Sequence, residues 1–156
     1  MLMILFYLKN EPYCLKASHT VELVPLVQLK ELPSEYEHLA GLMNYRGQII
    51  PVLDLLSFFY GRPTEPSLST KIIISSYQAE KEKKYLGLLA ERMQDVLDKD
   101  TRDFIYTGLD KDECKYFNAL VLHNELLLPC LDISILSRRF GFLEHFERGL
   151  DITDAQ

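Results

Sequence analysis

Four histidines (His19, His38, His123, His145), three cysteines (Cys14, Cys114, Cys130) and the acidic stretch DKDECK at 110–115 are the residues of this chain best suited to metal binding or nucleophilic chemistry. Their spacing argues against both. The histidines lie far apart, no C-x-x-C occurs, and DKDECK lacks the glycine and the later glutamate with which an EF-hand loop turns and closes on its ion. No G-x-S-x-G, P-loop, H-E-x-x-H or G-x-G-x-x-G is present either. Asp54 and Asp132 could be imagined as paired acids, but each directly follows an apolar strand-like run, where an aspartate suits a helix cap. The expectation is a chain that is not an enzyme, with no catalytic residue, metal or cofactor. An odd number of cysteines without a secretory leader reads as reduced thiols in a cytoplasmic protein.

The residue left over is Arg46. In Asn44-Tyr45-Arg46-Gly47 it stands between two β-like runs, ahead of the apolar stretch 49–56. Gly47 can supply the positive φ of a tight hairpin turn, and the Asn44 side chain can bond to nearby backbone. Arg46 would then project from a rigid corner, its planar guanidinium offering directed hydrogen bonds to a partner. The competing reading pairs it with a local acid such as Glu22.

The elements that must hold this corner are mainly β. Short apolar runs recur at 3–8, 13–16, 21–29, 49–55, 71–77, 85–97, 116–122 and 125–131, most of them too short for helices and separated by breakers such as Asn10-Glu11-Pro12. Their spacing predicts a closed antiparallel barrel or a pair of barrels. Short helical turns are expected at 34–38, 56–60 and 134–140, the last capped by Asp132 or Ser134. The stretch RPTEPSLS at 62–69 reads as a connection between halves, QAEKEKKY at 78–85 as a charged hairpin tip, and 144–156 as a polar tail after a single domain at 1–143. The apolar start MLMILFYL reads as a first strand and not as a membrane span.

Composition narrows the function classes. The 156 residues are 47% hydrophobic and 26% charged, enough for one well-packed core. Seventeen basic against 23 acidic residues give a net charge of −6, which disfavours nucleic acid and anionic lipid as partners. The pair Arg138-Arg139 reads as a solvated helix face. A barrel module of SH3 or OB type that binds nucleic acid or another protein is the alternative class, and for nucleic acid it would need a basic face interleaved with aromatics.

An internal repeat adds a constraint. RGQIIPVLDLLSFF from Arg46 and NELLLPCLDISILSRRF from Asn124 share apolar residues, proline, an apolar pair, aspartate and an apolar residue, with 129 − 51 = 78 and 132 − 54 = 78. Each copy reads as turn, strand, proline, strand end, aspartate and short helix. Pro51 and Pro129, lacking a ladder donor, are expected at a bulge, bend or sheet edge.

The block Gly41-Leu42-Met43-Asn44-Tyr45-Arg46-Gly47-Gln48-Ile49-Ile50-Pro51-Val52-Leu53-Asp54-Leu55 resembles the most recognisable segment of the CheW family, scaffold proteins of bacterial chemosensory arrays. TVELV, LGLLAERMQDVL and LLLPCLDISIL extend the resemblance over about 2–142. It departs at Leu122-His123-Asn124-Glu125, where the family usually has a glycine; asparagine can adopt the left-handed conformation in its place. The resemblance implies two intertwined five-stranded SH3-like β-barrels and an adaptor that couples the cytoplasmic tip of methyl-accepting receptors to the regulatory domain of a CheA-type histidine kinase. It implies receptor contact through Arg46, Asn44, Gly47, Val21 and Glu22, and kinase contact around Ile49 and Ile50. MLMILFYL and LVPLVQLKELP are similar to the Wsp-type subgroup, whose receptor systems control a diguanylate cyclase, so chemotaxis and surface sensing are both open outputs.

Overall fold

The computed structural model describes residues 1–31, 37–106, 115–117 and 119–140. The turn expected at 34–38, the DKDECK stretch, Cys114, His145 and the tail 144–156 lie wholly or largely outside them. Eleven strands are assigned among the described residues: β1 (Leu2–Leu8), β2 (Glu11–Lys16), β3 (Thr20–Pro25), β4 (Leu39–Tyr45), β5 (Gln48–Asp54), β6 (Lys71–Ala79), β7 (Glu82–Ala90), β8 (Arg92–Asp98), β9 (Phe104–Tyr106), β10 (Ala119–His123) and β11 (Leu126–Leu131). Two short helices, α1 (Leu55–Tyr60) and α2 (Ile133–Arg139), follow β5 and β11. The strands form two sheets, one in the order β8-β1-β2-β11-β10-β9 and one in the order β3-β6-β7-β5-β4. The first has six strands because the three-residue β9 adds to its edge.

Alternation along the strands builds three cores. Odd and even rows are both apolar in β1, β5, β6 and β11, so these strands bury both faces. Phe6, Leu8, Leu15, Leu53, Ile73, Leu88 and Leu131 meet between the sheets with Leu55, Leu56, Ile133 and Leu136 of the helices. The opposite rows fill the two barrels: Met3, Leu5, Cys14, Val121, Leu128 and Cys130 in the first, and Met43, Ile50, Val52, Ile72, Ile74 and Leu89 in the second. Each large side chain so buried stabilises the fold by about 1.5–3 kcal/mol.

The sequence repeat is a structural repeat. β4, β5 and α1 reappear 78 residues later as β10, β11 and α2. The backbone agrees in detail: Asp54 N–H donates to the His38 carbonyl at 2.8 Å and Asp132 N–H to the Tyr116 carbonyl at 2.9 Å, with 116 − 38 = 78. Both aspartates cap their helices as read from sequence, accepting from Ser57 N–H at 3.3 Å and Ile135 N–H at 3.1 Å. The corners pack on each other through aromatic rings, with Phe58 edge-on to His38, Tyr116 and Phe140 at 5.1–5.3 Å between centroids. Arg138 and Arg139 are exposed in the last turn of α2, where positive charge suits the helix C-terminus.

Four expectations change. Pro51 and Pro129 sit in interior strands, not edge strands or bulges: β5 lies between β7 and β4, and β11 between β2 and β10. Each proline comes one residue before the parallel ladder starts, at Val52↔Gly87 and Cys130↔Cys14, so the missing N–H falls where one side is unpaired. The run 85–97 is two strands, because the chain leaves one sheet and enters the other at Glu91. The run 21–29 ends as a strand at Pro25; the chain then returns to pair Lys30 with Leu42, both bonds 2.9 Å. A Cβ on Gly41 would come within 2.8 Å of the Lys30 carbonyl oxygen and of Leu29, which is why this close approach takes glycine. The connection 62–69 joins α1 to β6 within one sheet, not one half to the other.

That connection is anchored on Asp54, whose carboxylate accepts Thr64 N–H at 2.8 Å and Thr64 Oγ1–H at 2.7 Å in addition to its cap. Asp132 carries its cap from a half-exposed site. Asp132→Ala is therefore expected to cost about 0.5–2 kcal/mol, as for cap loss. Asp54→Ala should cost at least about 1 kcal/mol more, because it also strands the buried Thr64 donors. Urea-unfolding midpoints of the two variants check the difference.

Candidate functional site

Arg46 and Gly47 form the tip of the β4–β5 hairpin. Both have positive φ, 50° and 84°, as a type I′ turn requires at its two central positions. Asn44 Oδ1 accepts Gly47 N–H at 2.9 Å and braces the turn. Holding a non-glycine residue in this region costs roughly 1–2 kcal/mol, so the arginine is kept at the tip against its backbone preference.

Glu22 reaches this tip from β3. In the strand order β3 and β4 are the two edges of the second sheet, and the sheet curls until they meet. Glu22 Oε2 accepts the Tyr45 hydroxyl at 2.6 Å and Arg46 Nη2–H at 3.0 Å. The guanidinium also lies over the Tyr45 ring, 5.2 Å from its centroid. A bulge in the β3–β6 ladder between Thr20 and Glu22 leaves Val21 unpaired, and Val21 and Leu23 are both exposed. Arg46 pairs with Glu22, the local acid named in the competing reading, and its side chain remains 72% exposed. An ion pair this exposed contributes at most about 1 kcal/mol and does not commit the arginine to a structural role.

Val21, Glu22, Asn44, Arg46 and Gly47 are brought to one corner. Ile49 lies near it, half-buried and cross-strand from Asn44. Ile50 must be corrected: it is 1% exposed and packs inside the second barrel, so its side chain offers no surface.

The equivalent hairpin tip in the second copy, β10–β11, has the same backbone and the opposite chemistry. Asn124 and Glu125 take φ of 48° and 67°, so at the 78-residue offset asparagine stands where the first tip has Arg46, and a glutamate is held left-handed in the place of Gly47. Around them Leu122, Leu126 and Leu127 are 42–54% exposed, with Leu122 paired directly to Leu127. Sequence reading missed this patch, because leucines in a strand pattern read as core; the 78-residue offset, which aligns them with Asn44, Gln48 and Ile49, was the available signal.

Among the described residues no group of three or more His, Cys, Asp or Glu is placed to hold a metal ion, and no helix is long and apolar enough to cross a membrane. Comparison with known families matches residues 2–140 to the CheW-like domain. The chain belongs to the CheW-like domain family. A probable chemotaxis protein CheW of Rhizobium etli is 24% identical over 95 residues, which is 61% of this chain and 59% of that relative, so under two thirds of the relative's length is spanned. The scaffolding protein TtCheW of Thermoanaerobacter tengcongensis shares the fold, with a TM-score of 0.71 at 24% identity and 86% of each chain covered. The pair of SH3-like barrels implied by the resemblance is the architecture this CheW-like chain has.

The Tyr45 phenol is held above its ordinary value, first by the hydrogen bond to Glu22 and then by burial, with Arg46 opposing. A raised folded-state value means the bond's contribution is full below about pH 10, where the unfolded phenol titrates, and is lost as pH rises through the folded value. Tyr45→Phe is expected to be less stable than the parent at neutral pH. The gap should narrow once pH passes about 10, read from thermal unfolding of both proteins across the alkaline range.

Proposed function

We propose that this CheW-like chain is a non-catalytic scaffold that couples the cytoplasmic tip of methyl-accepting receptors to the regulatory domain of a CheA-type histidine kinase in bacterial chemosensory signalling. The observation that carries the reading is the Tyr45–Glu22–Arg46 corner: a charged, exposed arginine preset on a strained turn and paired to β3, on which Val21 and Leu23 flank Glu22 and are exposed. A guanidinium held in one orientation loses little freedom on binding and can give directed hydrogen bonds to carboxylates or carbonyls of a helical tip. The receptor is assigned to this corner, through Arg46, Asn44, Gly47, Val21 and Glu22. The kinase domain is assigned to the hairpin-tip chemistry of the other copy, Leu122, Leu126 and Leu127, with Ile49 as the corresponding position in the first.

Scaffolding of this kind works by differential binding: a receptor state that shifts the scaffold relative to the kinase favours one kinase conformation over another. Each contact can be moderate because many copies act together in an array. The Wsp-type output, control of a diguanylate cyclase, belongs to this proposal as one of two receptor systems, and the receptor recovered in the experiment below distinguishes them.

The test is affinity capture from the native bacterium with wild type, Arg46→Glu and Leu126→Asp side by side, read by mass spectrometry. Wild type should retain a methyl-accepting receptor and a CheA-type kinase. Arg46→Glu, which places two acids at the corner, should weaken receptor retention at least tenfold, about 1.4 kcal/mol, and spare the kinase. Leu126→Asp should do the reverse. Both substituted positions are exposed, so melting temperatures should stay near the parent value. Retention of neither partner by wild type would overturn the reading and reopen the nucleic-acid and enzyme classes.

A further inference from the structure

The first barrel contains a pair of thiols that scaffolding does not use. Cys14 of β2 and Cys130 of β11 are in-register neighbours on parallel strands. In-register residues on neighbouring strands point to the same face, here the barrel interior, while Leu15 and Leu131 next to them point into the core between the sheets. Neighbouring strands run about 4.8 Å apart, inside the roughly 4.4–6.8 Å between Cα atoms that a disulfide spans. Both cysteines are free.

Their surroundings differ. Cys14 is wholly buried, with its thiol 3.9 Å from the Leu128 carbonyl oxygen. Cys130 is 5% exposed and forms part of the wall of a cavity of about 280 Å³, which Lys16, His19, Tyr106 and Asp132 also line. A hydrogen bond from Cys14 and the nearby charge of Lys16 hold the Cys130 thiol below its ordinary value. The same hydrogen bond, with burial, pushes Cys14 up. Cys130 is thus the thiol of the pair that the cavity reaches, with Cys14 wholly buried beside it.

We propose that Cys130 and Cys14 are a peroxide-reactive dithiol, Cys130 being the thiol attacked from the cavity and Cys14 the thiol that resolves it. The Cys130 thiolate attacks one oxygen of hydrogen peroxide, an S–O bond forms as the O–O bond breaks, and the departing hydroxide takes a proton and leaves as water. Cys14 sulfur then attacks the Cys130 sulfenic acid, the S–S bond forms as the S–O bond breaks, and the released hydroxide takes the Cys14 proton as a second water. Two thiols are oxidised to a disulfide and one peroxide is reduced to two waters. The bridge falls on the narrowest joint of the six-stranded sheet. β2 and β11 are held there by two partner pairs, Cys130↔Cys14 and Leu131↔Leu15, between the β8-β1-β2 and β11-β10-β9 groups. Oxidation fastens that joint covalently.

The experiment uses the full chain carrying Cys114→Ser, so that two thiols remain to be counted. After hydrogen peroxide, denaturation and alkylation, both thiols should be gone in a monomer of unchanged mobility. Peptide mapping should recover a Cys14–Cys130 link, dithiothreitol should reverse it, and the oxidised protein should melt higher. With Cys14→Ala added, dimedone should label Cys130; with Cys130→Ala added, Cys14 should remain a thiol. Circular dichroism checks that each variant folds, and the peptide map decides by itself because it needs no substitution inside the barrel. Survival of both thiols at peroxide that oxidises glutathione in the same tube would overturn the proposal. So would dimedone labelling of Cys14 as readily as Cys130, or links formed between chains alone.

Discussion

The core shared by the two sheets is the contact on which the rest of the molecule depends. Separated, the barrels would expose Phe6 and Leu131 on one and Leu53 and Ile73 on the other, since these sit on the outer faces of their own barrels. Joining the barrels removes those faces from solvent and fixes how β5 and β11 must end, at aspartates that turn the chain into α1 and α2 over the same core. Two-sided burial also explains why the strands read as continuous apolar runs instead of clean alternation.

Once the corners are fixed, the hairpin tips are fixed too. β4–β5 and β10–β11 leave their barrels with equivalent backbones, and two successive left-handed residues at each tip show how strongly the turn is imposed, because one copy tolerates an arginine there and the other a glutamate. The fold has thus presented one shape twice and let chemistry diverge on it. One tip carries a cation anchored by Tyr45 and Glu22, the other a leucine cluster.

Features governed by local rules were legible in the residues. Asp54 and Asp132 cap where the step from strand to helix placed them, and Asn44 braces the turn. What escaped depends on partners distant in sequence. The break at Glu91 is silent because no glycine or proline stands there, and the switch of sheets is decided by where β1 and β6 lie. β9 is three residues long and exists through its pairing with β10, and β4 carries a glycine that looks like a breaker until its approach to Lys30 is known. Ile49 and Ile50 are adjacent and alike in type, and which of them is buried follows from strand register.

The order of strands along the chain bears on how the molecule comes into being. The second barrel uses β3 to β7, a contiguous stretch, whereas the first needs β1 and β2 before that stretch and β8 to β11 after it. During synthesis from the N-terminus the second barrel has all its strands while the first still lacks β8 to β11. β1 and β2 wait as a hairpin with apolar faces, joined by β8 along β1, until β11 emerges to pair with β2, and their nearest finished surface is the second barrel. The contiguous barrel is in this sense the template on which the discontinuous one is assembled, and the nascent chain is most vulnerable to aggregation in the interval before its last two strands arrive.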